Sequence, residues 1–135
     1  WTPDYTQAGA YDITFIATGS ELFDSQIITI TVNNVDRPPE LTSPGNLSID
    51  ENQLLTFTLL ATDPDGDQLD IKWWYFPVGT YEGAALAVDN PSAAKTTFTV
   101  PADAKTGDTI HFVLQAVDHG TPTLTKYLRT IITVR

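Results

Sequence analysis

The stretch Ala61-Thr62-Asp63-Pro64-Asp65-Gly66-Asp67-Gln68-Leu69-Asp70-Ile71-Lys72-Trp73-Trp74-Tyr75-Phe76 runs an acidic turn straight into a strand. Asp63, Asp65 and Asp67 alternate with Pro64 and Gly66, residues that bend a chain and end a ladder. From Leu69 the pattern is period two. Leu69, Ile71, Trp73 and Tyr75 share one face, and Asp70, Lys72, Trp74 and Phe76 share the other. The first set is uniformly bulky and belongs in a core. Trp74 shares its face with two charged residues, so it is expected to be exposed or half exposed.

The same alternation recurs along the chain. Tyr11 to Ala17, Ile28 to Val32, Leu55 to Ala61, Thr96 to Val100, Ile110 to Ala116 and Tyr127 to Val134 all read as strands, separated by Gly, Pro, Asn and Asp clusters. No long amphipathic helix is legible. Regular short strands of this kind predict an all-β protein, an immunoglobulin-like β-sandwich. An apolar fraction of 41% is enough for a packed core. No apolar run reaches the ~18–20 residues that span a membrane. The chain has no signal peptide and no starting Met, and reads as a segment of a longer protein. Seventeen acidic against seven basic residues, a net charge of −10, argue against nucleic acid as a partner. Cysteine is absent, so there is no disulfide framework.

An internal echo organises the chain. Pro3 and Pro101 lie 98 positions apart, and Ala17 and Ala116 lie 99 apart. That period matches one sandwich domain. Residues 1–37 then read as the terminal strands of one unit plus a linker, and residues 38–135 as a complete second unit. Pro38 and Pro39 stiffen the junction. A half sandwich leaves its inner face wet. Its other strands were removed, or come from another chain in a strand-swapped dimer, or residues 1–37 belong to one larger sandwich. Sequence leaves all three open.

Asn34-Val35-Asp36-Arg37-Pro38-Pro39, Asp50-Glu51-Asn52, Ala61-Thr62-Asp63-Pro64-Asp65-Gly66-Asp67 and Ala116-Val117-Asp118 resemble the cadherin-like repeats of bacterial extracellular proteins. The resemblance implies a secreted location, contacts with neighbouring domains of the same polypeptide, and Ca2+ held by Asn34, Asp36, Asp63, Asp65 and Asp118. Arg37 stands where such linkers often carry Asp. Lys72-Trp73-Trp74-Tyr75, Gly79-Thr80-Tyr81-Glu82-Gly83, Val100-Pro101-Ala102-Asp103-Ala104, Gly107-Asp108-Thr109-Ile110-His111 and the run from Asp118 to Tyr127 resemble the Sde182-type C-terminal cellulose-binding domain. That resemblance covers roughly residues 54–134 and implies a polysaccharide partner.

Each candidate site has two readings. The Asp63–Asp67 turn can wrap a calcium ion, which takes ~6–8 oxygens, or its side chains can cap their own backbone. Trp74 can stack on a pyranose ring, with Tyr81 extending the platform and Lys72 and Glu82 binding hydroxyls, or it can pack on residues 1–37 or a neighbouring domain. His111 and His119 accompany no nucleophile or zinc motif, and no pair of carboxylates suggests a cleft, so the chain is expected not to be an enzyme. The leading expectation is a non-catalytic module binding a cellulose-like glycan within a secreted carbohydrate-active protein. The alternative is a calcium-rigidified spacer or adhesion repeat.

Overall fold

A computed structural model describes residues 1–42 and 44–135, and among them every regular element is a strand. The chain divides into two compact units, Trp1–Asp36 and Arg37–Arg135.

The first unit is one antiparallel hairpin, β1 (Gly9–Thr18) on β2 (Phe23–Val32). Gly19 N–H closes the connecting turn on Leu22 O at 2.8 Å. Alternation puts Tyr11, Ile13 and Phe15 on one face, beside Ile30 and Ile28 of the partner strand. Trp1 packs edge-on against Tyr11 at 4.9 Å.

The second unit contains β3 (Glu40–Thr42), β4 (Leu47–Ile49), β5 (Leu54–Thr58), β6 (Leu60–Thr62), β7 (Leu69–Tyr75), β8 (Lys95–Thr99), β9 (Thr109–Asp118) and β10 (Thr125–Val134). One sheet has the order β4-β10-β9-β7, and two smaller ladders pair β3 with β6 and β5 with β8. β4 runs parallel to β10, while β9 is antiparallel to both its neighbours. The inner residues of the large sheet (Trp73, Ile110, Phe112, Leu114, Ile132, Val134) pack with Phe57 of β5 and Phe98 of β8 in one core. Phe57 stacks on Trp73 at 5.3 Å, and Phe98 meets Phe112 edge-on at 4.8 Å. Such aromatic pairs add roughly 0.5–1.5 kcal/mol beyond the area they bury.

The run Leu55 to Ala61, which the alternation predicts as one strand, is broken in two. β5 pairs with β8, and β6 pairs with β3. At the break, Leu59 is buried and its N–H donates to Ala94 O at 2.9 Å, the last bond in the β5–β8 register before β6 turns to β3. A strand that changes partner needs such a break, since one backbone cannot satisfy two ladders in a single register.

The expected faces of β7 are the observed ones. Trp73 is 2% exposed, its indole N–H donating to Ala93 O at 3.2 Å, while Trp74 on the opposite face is half-buried. A buried indole needs that acceptor, because an orphaned buried donor costs about 1–3 kcal/mol.

Candidate functional site

The outer face of the large sheet is built by register. Trp74 of β7 stands opposite Val113 of β9, which stands opposite Arg129 of β10. One row along, Lys72 stands opposite Gln115, which stands opposite Tyr127. The two aromatics therefore occupy one diagonal of a patch centred on β9, and the two cations occupy the other. Trp74 and Tyr127 lean together across β9, with ring centroids 6.2 Å apart and planes at 84°. Gln115 Nε2 donates to the Tyr127 hydroxyl at 3.2 Å and steadies that ring. Tyr127 is 58% exposed. Asp70, Lys72, Gln115 and Val117 line a neighbouring open depression of about 460 Å³. Beyond them, His119 Nε2 and Asp70 Oδ2 are hydrogen-bonded at 2.9 Å.

Trp74, Tyr81 and Glu82 line a separate open depression of about 540 Å³, which Lys72 does not reach. Glu82 is exposed. Tyr81 is set differently from a stacking platform: its ring is 7% exposed and belongs to the core. Its hydroxyl donates to Asp103 Oδ1 at 3.0 Å. Burial, then the Asp103 hydrogen bond and charge, push the phenol above its usual value of 10.0. The flanking glycines explain the placement. A Cβ on Gly83 would lie 2.0 Å from the Tyr81 hydroxyl, and one on Gly79 would lie 1.9 Å from Thr109 O. The Gly79–Gly83 motif is thus a clamp that seats a loop on β9. Thr80 and Thr109 complete it, each backbone N–H donating to the other's hydroxyl at 3.0 and 2.8 Å. Sequence reasoning passed over Tyr127. The signal was present in the strand alternation, which puts Tyr127 and Arg129 on one face, but the pairing that brings them to Trp74 is long range.

The acidic turn is largely engaged with itself. Asp63 Oδ1 accepts from the N–H groups of Asp65 and Asp67 at 2.8 and 3.3 Å, and Gly66 sits at φ +85°, where glycine is favoured. Asp65 faces a cation that the chain itself supplies. Its Oδ1 accepts from Arg37 Nη2 at 2.6 Å and Nε at 3.0 Å, and its Oδ2 accepts from Arg37 N–H at 2.8 Å. Arg37 Nη2 also donates to Pro64 O at 2.6 Å. Asp118, fully buried, accepts through Oδ1 from Leu124 N–H at 2.7 Å and Gly120 N–H at 3.2 Å. Asp63 Oδ2 and Asp118 Oδ2 are buried and accept no hydrogen bond. Each is a free buried acceptor, whereas Asp65 is already paired with Arg37. Asn34 is exposed and Asp36 buried, both in the first unit. Among the described residues, no three acidic, His or Cys side chains gather as a metal cluster.

A four-stranded sheet and two shorter antiparallel ladders around one core, with a buried strand tryptophan and an acidic turn at the domain entrance, define a cadherin-like β-sandwich domain. Structural likeness agrees. The first three protocadherin gamma C5 domains match 96% of this chain and 44% of theirs, with a TM-score of 0.61 at 23% identity. Human CDH23 domains EC21–23 match 93% of it and 47% of theirs, with a TM-score of 0.54 at 18% identity. A nucleoside hydrolase-related protein of Saccharophagus degradans, described as associated with carbohydrate metabolism, matches 74% of this chain with a TM-score of 0.67 at 26% identity. The match spans 26% of that protein. The family model described as "Cellulose-binding protein Sde0182, C-terminal domain" matches residues 56–134, more than half of the chain, and the chain belongs to that family. No curated protein matches it.

Proposed function

We propose that this chain is a non-catalytic polysaccharide-binding module of a secreted, multidomain bacterial protein that acts on carbohydrate. The observation that carries the reading is Trp74. It is held half exposed on the outer sheet face by a strand whose alternate residue, Trp73, is core, and Tyr127 stands against it. An indole face offered to solvent beside hydrogen-bonding side chains is what the C–H face of a pyranose stacks on. Membership of a family described as cellulose-binding supports a glycan as the partner. Tethering an attached enzyme to its substrate raises the local substrate concentration without chemistry in the module itself.

The test is affinity-gel retardation of the full 135-residue chain on a panel of soluble and insoluble polysaccharides, with Trp74→Ala beside wild type. Wild type is expected to be retarded by at least one glycan, and Trp74→Ala to run free while keeping the wild-type melting temperature. If no glycan retards wild type, the reading is wrong.

A second reading, a calcium-stiffened spacer, is favoured by the orphaned oxygens of Asp63 and Asp118. Those two carboxylates would hold the ion, and its charge would satisfy acceptors that the fold leaves bare. The two readings are compatible, since the turn and the outer face are separate parts of one domain.

A further inference from the structure

The outer face carries more information than an exposed tryptophan. Lys72 and Arg129 are exposed on it, and among the described residues neither makes a hydrogen bond or an ion pair. They belong to a chain with only seven basic residues against seventeen acidic ones. Three charged pairs form elsewhere: Arg37 holds Asp65, Arg135 approaches Asp50 at 3.5 Å, and Asp70 is hydrogen-bonded to His119. Two unpaired cations stand beside the aromatics, while of the carboxylates near the patch Asp70 is hydrogen-bonded to His119 and Glu82 lines the separate depression beside Trp74. The two cations sit on strands either side of β9, two strand spacings or about 10 Å apart across the sheet.

Ring geometry restricts the ligand further. A flat crystalline sugar surface needs coplanar aromatic rings beneath it. Trp74 and Tyr127 stand at 84° to one another, so no single plane rests on both. They form the two walls of a corner that seats one sugar ring of an individual chain. Lys72 and Arg129 then lie to either side of that corner.

We propose that the outer face of β7, β9 and β10 binds a single glycan chain carrying carboxylates, a uronic-acid polysaccharide. Trp74 stacks on a pyranose ring and Tyr127 walls its edge. Arg129 takes a uronate carboxylate with its planar fork, which a lysine cannot imitate. Lys72 meets a carboxylate further along the chain as a point charge. The overall negative charge of the protein does not prevent this, because at physiological salt it is screened beyond about 8 Å. The proposal rests on the polysaccharide reading above and narrows it.

The experiment is calorimetric titration of the full chain, in chelator and about 0.15 M salt, with hexagalacturonic acid, with the same oligosaccharide after reduction of its carboxyl groups, and with cellohexaose. Hexagalacturonic acid is expected to bind, and carboxyl reduction to weaken binding about tenfold or more, the loss of at least one charge-assisted hydrogen bond. Arg129→Gln and Lys72→Gln are each expected to weaken the acidic ligand several-fold and leave any residual binding of the reduced one unchanged. Tyr127→Ala is expected to weaken both. Melting temperatures establish that each variant folds, and the two cation variants stand in for one another if one does not. Equal affinity for the acidic and reduced chains, or for cellohexaose, with both cation variants silent, overturns the carboxylate assignment and leaves polysaccharide binding standing. Binding of none of the three, together with no retardation on the polysaccharide panel, overturns both.

Discussion

Trp73 and Trp74 are adjacent in sequence and opposite in fate, so single substitutions separate stability from binding. Trp73→Ala removes the ring that stacks on Phe57 and leaves a cavity in the centre of the core. A loss of about 3–5 kcal/mol is expected, read as a lower urea midpoint. Trp74→Ala should change that midpoint little and abolish glycan retardation. His111 gives a pH signature. It is buried with Nδ1 unpartnered, and burial, reinforced by the Arg129 charge, holds it below the ordinary histidine value of 6.5. The folded chain therefore keeps His111 neutral where the unfolded chain has taken up a proton. Stability is unaffected above 6.5 and falls as pH drops below it towards the lower folded value. Denaturation at successive pH values should show wild type losing stability as pH falls below 6.5, and His111→Gln showing a flatter profile there. The period-two pattern made the two tryptophans legible, because alternation is a local property of the backbone. Tyr81 was not legible. Its Gly-flanked setting reads as an open loop, yet the same glycines let the backbone close tightly on Thr109 and carry the ring into the core.

At the scale of elements, what sequence leaves out is pairing. β5 and β6 form one alternating run, and only the competing ladders of β8 and β3 decide where it divides. β3 and β4, three residues each, are too short for any periodic signal. Tyr127 joins Trp74 only because β9 lies between their strands in one sheet, a register set by contacts remote in sequence. The Arg37 bridge belongs to the same scale, joining the entrance of β3 to the turn before β7. The Arg37 side chain is 28% and that of Asp65 14% exposed, so the pair is shielded but not dry. Its hydrogen bonds are charge-assisted, and each such bond contributes about 1.5–3 kcal/mol. Arg37→Ala should therefore cost about 1–3 kcal/mol, since water reaches the freed Asp65 in part. The check is the urea midpoint of Arg37→Ala and Arg37→Lys. Lysine keeps the charge but not the fork, and should recover only part of the loss.

For the whole molecule, the second reading turns on whether calcium stabilises the fold. Binding to the native state alone raises stability by about 2.7 kcal/mol at a hundred times the dissociation constant. The melting temperature of wild type in millimolar calcium should then exceed that in chelator. Asp118→Asn isolates the cause. The asparagine oxygen can still accept from Leu124 and Gly120 N–H groups, as Asp118 Oδ1 does. What it removes is the orphaned Oδ2 and its charge. In chelator, Asp118→Asn should melt no lower than wild type, because the neutral amide that replaces the orphaned oxygen costs less to bury than an unpaired carboxylate charge. In calcium it should gain nothing, because the ligand is gone. A wild type indifferent to calcium, with Asp118→Asn stabilised under both conditions, removes the spacer reading and leaves Asp118 as the closure of the β9–β10 turn. A calcium increment that survives in Asp118→Asn places the ion away from that carboxylate. Because Trp74 and Tyr127 lie on the outer face of the sheet and Asp118 is fully buried, glycan retardation should not follow the calcium result in either case.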